Sequence, residues 1–167
     1  MRDDGAEKFI VMQLAGAEYA LRSGDVRHIE MIETITPVPN SPPHVEGVVF
    51  SRGEVVPVVN LRVRFGFEPV PVDLRTRLLV VRQSERSVGL LVDSAREFIS
   101  IPPGSIQEPP EAISGLRGRY LEGIATLNGR LVLVLNLSEV IAPVEGAESP
   151  APATPAAESR QAAESRQ

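Results

Sequence analysis

An all-β fold is predicted by three observations: one hairpin motif written twice, a core alphabet dominated by Val, Leu and Ile, and short apolar runs separated by turn residues. The runs Val45 to Leu61 (VEGVVFSRGEVVPVVNL) and Leu121 to Leu137 (LEGIATLNGRLVLVLNL) are identical at seven of seventeen positions at a constant offset of 76. Each has an apolar run, a turn containing glycine and a second apolar run closing on Asn-Leu, the grammar of a β-hairpin. A fainter match at offset 69 relates Tyr19-Ala-Leu and Asp25-Val-Arg-His-Ile to Val88-Gly-Leu and Ser94-Ala-Arg-Glu-Phe-Ile. Aromatics are 4% of the chain and Trp is absent, so the core must be aliphatic, and its β-branched part suits strands. Self-similarity of this kind predicts two related halves. A unit of about 65 residues buries only about 60% of its unfolded surface, so the halves should pack together.

The elements follow in order. Phe9 to Leu14 and Tyr19 to Leu21 are strands joined by Ala15-Gly16-Ala17-Glu18, and Ser23-Gly24-Asp25 offers a turn or cap before a mixed apolar and polar stretch through Ile29 and Ile32. Thr36 to Pro43 holds four prolines in eight residues, which excludes a central strand and predicts a stiff connector. The first hairpin then closes at Leu61. The second half opens with the strand Arg77 to Val81, turns at Gln83 to Arg86 and returns through Val88 to Val92. After Asp93-Ser94 and a strand from Phe98 to Ile101, a second proline-rich loop leads to the second hairpin. Ser138 to Ile141 predicts one capped helical turn against Pro143. From residue 144 to 167 the composition falls to Ala, Pro, Glu, Ser, Arg and Gln, with AAESRQ written twice. That segment has too little apolar surface to offset its ordering entropy and is expected to be a disordered tail.

Composition narrows the function classes. At 167 residues the chain is about one domain. It has no cysteine, which removes disulfides and thiol ligands. No apolar run approaches the roughly 20 residues of a membrane helix, and no signal-like segment follows Met1-Arg2-Asp3-Asp4. The expectation is a soluble, cytoplasmic protein. Net charge is −5, from 17 basic and 22 acidic side chains, which opposes binding to nucleic acid or anionic membrane. Arg62, Arg64, Arg75, Arg77, Arg82 and Arg86, with Arg52 as a seventh, nevertheless form a basic stretch in sequence.

Components for catalysis are scarce. His28 and His44 have no second ligand at metal spacing. Ser23, Ser51, Ser94 and Ser105 sit in no nucleophile elbow. Gly47, Gly53, Gly123 and Gly129 fall at repeat-equivalent places, which backbone conformation explains better than phosphate binding. No enzyme, cofactor or metal site is predicted.

Differences between the copies carry more information. Asn128-Gly129 suits a type I′ turn, in which both central residues take positive φ, whereas the first copy has Arg52-Gly53. Either the first turn is of another type, or an arginine is held there against a cost on the order of 1–2 kcal/mol. Pro57 stands where the second copy has Leu133, and because proline cannot donate to a ladder, that strand is expected to be an edge or to be bulged.

These residues resemble a known family. Phe9 to Leu14 with Tyr19-Ala-Leu, Asp25-Val-Arg-His-Ile, Ile35-Thr-Pro-Val-Pro, the whole run Val45 to Leu61 and Gly89-Leu-Leu-Val-Asp-Ser-Ala look like the CheW domain of bacterial chemotaxis, over about residues 8 to 142. The resemblance implies two five-stranded SH3-like β-barrels in one domain spanning 8–143, with intertwined halves of roughly 8–70 and 74–143. It implies a non-catalytic adaptor that couples the cytoplasmic hairpin tip of a chemoreceptor to the histidine kinase CheA, whose regulatory domain is similar, and that meets the membrane only through receptors recruited into arrays. Arg52 matches the family's important Arg-Gly arginine, and Val26, His28, Gly47 and Gly89 fall on other receptor-side positions. His28 is a departure, because family members often have Glu there. For the kinase contact the candidate is the second hairpin, Asn128, Gly129 and Arg130. The competing class is a basic SH3-like or OB-like nucleic-acid module using Arg52, Arg62, Arg64, Arg75 and Arg77, which the acidic net charge and the lack of candidate stacking aromatics oppose.

Overall fold

Four consecutive residues, Phe9-Ile-Val-Met12, are almost wholly buried, and so are Leu78-Leu-Val-Val81. Side chains alternate across a strand, so a strand buried at successive residues has protein on both faces. A computed structural model, describing residues 6–32, 34–110 and 118–142, shows why. The elements are β1 (Glu7–Leu14), β2 (Ala17–Arg22), β3 (Val26–Met31), β4 (Val45–Ser51), β5 (Glu54–Asn60), the helical turn α1 (Leu61–Arg64), β6 (Arg77–Gln83), β7 (Arg86–Val92), β8 (Ser94–Ile101), β9 (Ile106–Gln107), β10 (Leu121–Leu127), β11 (Arg130–Leu135) and the helical turn α2 (Leu137–Val140). The tail expected over 144–167 lies outside the described residues.

Two sheets form, ordered β8-β1-β2-β11-β10-β9 and β3-β6-β7-β5-β4. Each draws on both halves of the sequence. If every strand is replaced by its repeat equivalent, the second order becomes β8-β1-β2-β11-β10, the first sheet without its two-residue β9. The repeats have therefore exchanged their opening hairpins, and neither 8–70 nor 74–143 builds a barrel alone. Both parallel pairings confirm the exchange: Val58 faces Gly89 and, at equivalent positions, Val134 faces Ala20.

Each sheet encloses a small core from its own strands, which requires it to curl into a barrel. Phe9, Val11, Ala20, Ala125, Val132 and Val134 fill one; Val58, Leu78, Val80 and Leu91, covered by Ile32, Ile35 and Val49, fill the other. The largest core lies between the barrels. Ile10, Met12, Leu14, Tyr19 and Leu21 meet Val59, Leu79, Val81, Val88, Leu90 and Val92 there, with Leu137, Val140 and Ile141 of the C-terminal turn. At about 1.5–3 kcal/mol for each fully buried aliphatic side chain, this shared layer makes the barrels one unit.

The Asn-Leu closure of each hairpin is a helix start. Asn60 Oδ1 accepts the Arg62 amide at 3.0 Å, and Asn136 Oδ1 accepts the Glu139 amide at 3.3 Å. The C-terminal turn thus begins at Leu137 under an Asn136 cap, and α1 is its counterpart, which the sequence reading did not predict. Pro57 corrects another expectation. The strand β5 lies between β4 and β7 and is no edge, and the irregularity of its pairing falls at Val45/Gly47, away from Pro57. Pro57 faces Val48, whose own N–H and C=O both bond Thr36, at 2.8 and 2.9 Å. The pair is therefore one whose backbone groups point away from each other, and the missing donor of Pro57 faces β7, where the ladder starts only at Val58.

Candidate functional site

The β4–β5 turn rises from the second barrel with Ser51 facing Glu54, which leaves Arg52-Gly53 as a two-residue loop. Both loop residues have positive φ, 49° and 87°, as do Asn128 and Gly129 at 50° and 80°. The first hairpin therefore takes the type I′ backbone despite its arginine.

Beneath this tip three polar side chains converge. His28 and Glu30 share a face of β3, two residues apart, and Ser51 ends β4. Ser51 Oγ donates to Glu30 Oε2 at 2.6 Å, and His28 Nε2 lies 2.7 Å from the same oxygen and 3.1 Å from Ser51 Oγ. Ser51 is only 4% exposed. A nucleophile relay needs the two imidazole nitrogens to serve the serine and the carboxylate separately; here one nitrogen faces both, so the cluster is a structural clamp. Arg52 reaches Glu30 Oε2 only at 3.9 Å, and its side chain is 67% exposed.

The clamp borders a groove of about 630 Å³ lined by Leu78, Val49, Ile32 and Phe50 on the apolar side and by Glu30, Thr34, Thr36 and Arg52 on the polar side. Phe50 is 75% exposed, and Val55, facing it across the hairpin, and Met31 are also well exposed. A groove of mixed polar and apolar lining, with an exposed aromatic and one cation at its rim, suits an amphipathic helix bearing an acidic group.

The repeat provides an internal comparison. The positions equivalent to His28, Glu30 and Ser51 are Glu97, Ile99 and Leu127, and the last two pack on the core of the first barrel. At two of these three places the second copy has apolar side chains where the first is polar, and at the third Glu97 pairs with Arg130. Arg130, in the second hairpin, is engaged by Glu18 at 3.0 Å and Glu97 at 2.9 Å, while Asn128 and Gly129 are exposed.

Of the receptor-side residues expected from sequence, Arg52 and His28 come together. Gly47 is buried in β4. Its φ is 145°, and an added Cβ would stand 2.1 Å from the Thr36 carbonyl oxygen, so it is the residue that lets the chain after β3 bridge onto β4. Gly89 does not reach the surface: it is buried in β7, where a Cβ would press on the Leu78 side chain at 2.8 Å. Val26 packs toward the shared core. Sequence reasoning missed Glu30, Ser51, Met31 and Phe50; the signal available was the two-residue spacing of Glu30 from His28.

The arginines of the nucleic-acid reading serve separate local duties. Arg62 grips Asp93 through two hydrogen bonds of 2.9 and 2.8 Å, and Asp93 also accepts the Ala15 amide at 2.9 Å. Burial opposes the charge of Asp93, but these bonds outweigh it and hold its pKa below the usual value. Arg64 donates to the carbonyls of Val140, Glu139 and Ala142, closing the end of α2. His44, half-buried beside Arg64, has its pKa lowered to about 4 by burial and then by that guanidinium. Arg77 donates to the carbonyls of Leu74 and Thr76. Three of the five are thus spent on internal acceptors, and the sequence cluster does not become one basic surface.

Among the described residues no helix is long and apolar enough to cross a membrane. The solved structure of scaffolding protein TtCheW from Thermoanaerobacter tengcongensis is similar, with a TM-score of 0.78 and 30% identity, covering 86% of this chain and 97% of that one. Chemotaxis protein CheW of Helicobacter pylori is 33% identical over 134 residues, 80% of this chain and 81% of that protein. CheW of Thermotoga maritima is 32% identical over 141 residues, 83% of this chain and 91% of that protein. Residues 8–145 match the family model of the CheW-like domain, and with the exchanged repeats and the relatives agreeing, the chain belongs to the CheW-like domain family.

Proposed function

We propose that this protein is a non-catalytic adaptor coupling the cytoplasmic hairpin tip of a chemoreceptor to the histidine kinase CheA, working in the cytoplasm and reaching the membrane only through receptors gathered in arrays. The observation that carries the reading is Arg52, an exposed guanidinium held at positive φ beside a groove lined by both polar and apolar side chains, with exposed Phe50 and Met31 among them. A strained residue persists where the surroundings over-determine it, and such residues gather at binding sites. A rim cation beside exposed Phe50 fits a receptor helix that carries an acidic group. The kinase contact is assigned to the opposite hairpin, Asn128, Gly129 and Arg130, whose tip is exposed. The folded unit comprises residues 8–143, with 144–167 as a tail outside it. Preformed barrel surfaces suit this role because binding costs little loop ordering.

The test is a ternary reconstitution. A receptor fragment in nanodiscs, CheA and this protein together should raise kinase autophosphorylation well above any two of them. If kinase output is unchanged while all three co-sediment, the coupling reading fails and a passive array component replaces it.

A further inference from the structure

We infer that His28 is a positioning residue that keeps Arg52 available to the partner by holding Glu30 away from it, an inference resting on the groove reading above. One oxygen, Glu30 Oε2, is the shared acceptor. The His28 imidazole approaches it at 2.7 Å and the Ser51 hydroxyl at 2.6 Å, whereas Arg52 Nε stays at 3.9 Å. Ser51 is buried and His28 largely so, which anchors the carboxylate on the protein side of the groove. A single carboxylate oxygen has limited acceptor capacity, and two close donors fill it. Arg52, on the solvent side, is left with a long ion pair of 3.9 Å to that oxygen and a guanidinium that stays largely exposed. Without the imidazole, Glu30 has one fewer anchor, and rotation about its side chain brings it onto Arg52. The rim charge is then neutralised within the protein, and a partner carboxylate must compete with Glu30. At the repeat-equivalent positions Ile99 replaces the carboxylate and Asn128 the cation, and Glu97, at the place of His28, pairs instead with Arg130.

The experiment is a titration with a soluble cytoplasmic fragment of a chemoreceptor from the same organism, with circular dichroism melts to confirm folding. His28→Ala should weaken binding about five- to tenfold, the scale of losing one rim charge contact. Glu30→Gln should bind within about twofold of the parent or more tightly, because the competing charge is gone. The double variant H28A/E30Q should return to within about twofold of the parent, a rescue that damage to the fold would not produce. His28→Gln, which retains a donor, should bind like the parent. An unaltered affinity in His28→Ala overturns the inference, as does a weakened His28→Ala that Glu30→Gln fails to restore. Arg52→Ala separates the two levels: if it binds as the parent does, the groove reading itself is wrong, and if it loses binding while the rescue fails, only the role of His28 is wrong.

Discussion

Arg52 and Asn128 occupy the same place in two copies of one hairpin, and their φ angles are 49° and 50°. Asparagine tolerates that region because its short amide bonds locally; arginine has no such compensation. The barrel therefore holds an arginine at a turn position where its own repeat shows the better-suited residue.

Exchanging the two should separate stability from binding. Arg52→Asn is expected to raise the unfolding free energy by about 1 kcal/mol while weakening binding to the receptor fragment. Asn128→Arg should lower stability by about 1 kcal/mol and leave that binding alone. Urea melts and titrations read both, and a destabilised Arg52→Asn would remove the argument from strain.

Gly47 is fixed by space and Gly53 by backbone alone. A Cβ at Gly47 would lie 2.1 Å from the Thr36 oxygen, whereas nothing lies within 4 Å of one at Gly53. Gly47→Ala should cost about 3 kcal/mol or more and disturb the groove, while Gly53→Ala, at φ 87°, should cost about 1 kcal/mol. Equal losses in chemical denaturation would show that the chain after β3 moves aside.

The Arg62–Asp93 pair ties the β1–β2 turn to α1, since Asp93 also holds the Ala15 amide. Asp93→Asn should lower stability by about 2 kcal/mol at pH 7. The pKa of Asp93 is lowered on folding, so its contribution is complete above the unfolded value of about 3.9 and is lost as pH falls through the folded value. Melts below pH 4 should show a shallower acid loss in Asp93→Asn, and a parallel loss would remove Asp93 from that transition.

His44 acts in a higher window. Its folded pKa of about 4 lies below the unfolded value of about 6.5, so the unfolded chain takes up the proton first. Stability should be flat above pH 6.5 in this respect and should fall as pH drops toward 4, by about 1 kcal/mol once solvent screening of the half-buried ring is allowed for. His44→Gln should lack this slope. An NMR titration placing His44 near 6.5 in the folded protein would refute it.

The sequence alone determined the all-β class and the turn positions, because short apolar runs and turn glycines are properties of a few neighbouring residues, and the duplication, because it needs only a comparison of the chain with itself. It also placed Arg52 as the odd member of a repeated turn, since the comparison needed only the second copy. Tertiary structure decided the rest. Which hairpin joins which barrel depends on burying one face of the runs Phe9 to Met12 and Leu78 to Val81 inside a barrel and the other between the barrels, and contiguous apolar residues do not name their partners. The same holds for Pro57, whose tolerance depends on where the parallel ladder begins, and for Gly89, whose place beneath Leu78 removes it from the surface. The clamp joins Ser51 to residues more than twenty positions away, and because β3 and β4 stand at opposite ends of the sheet order, only the closing of the barrel brings those atoms together.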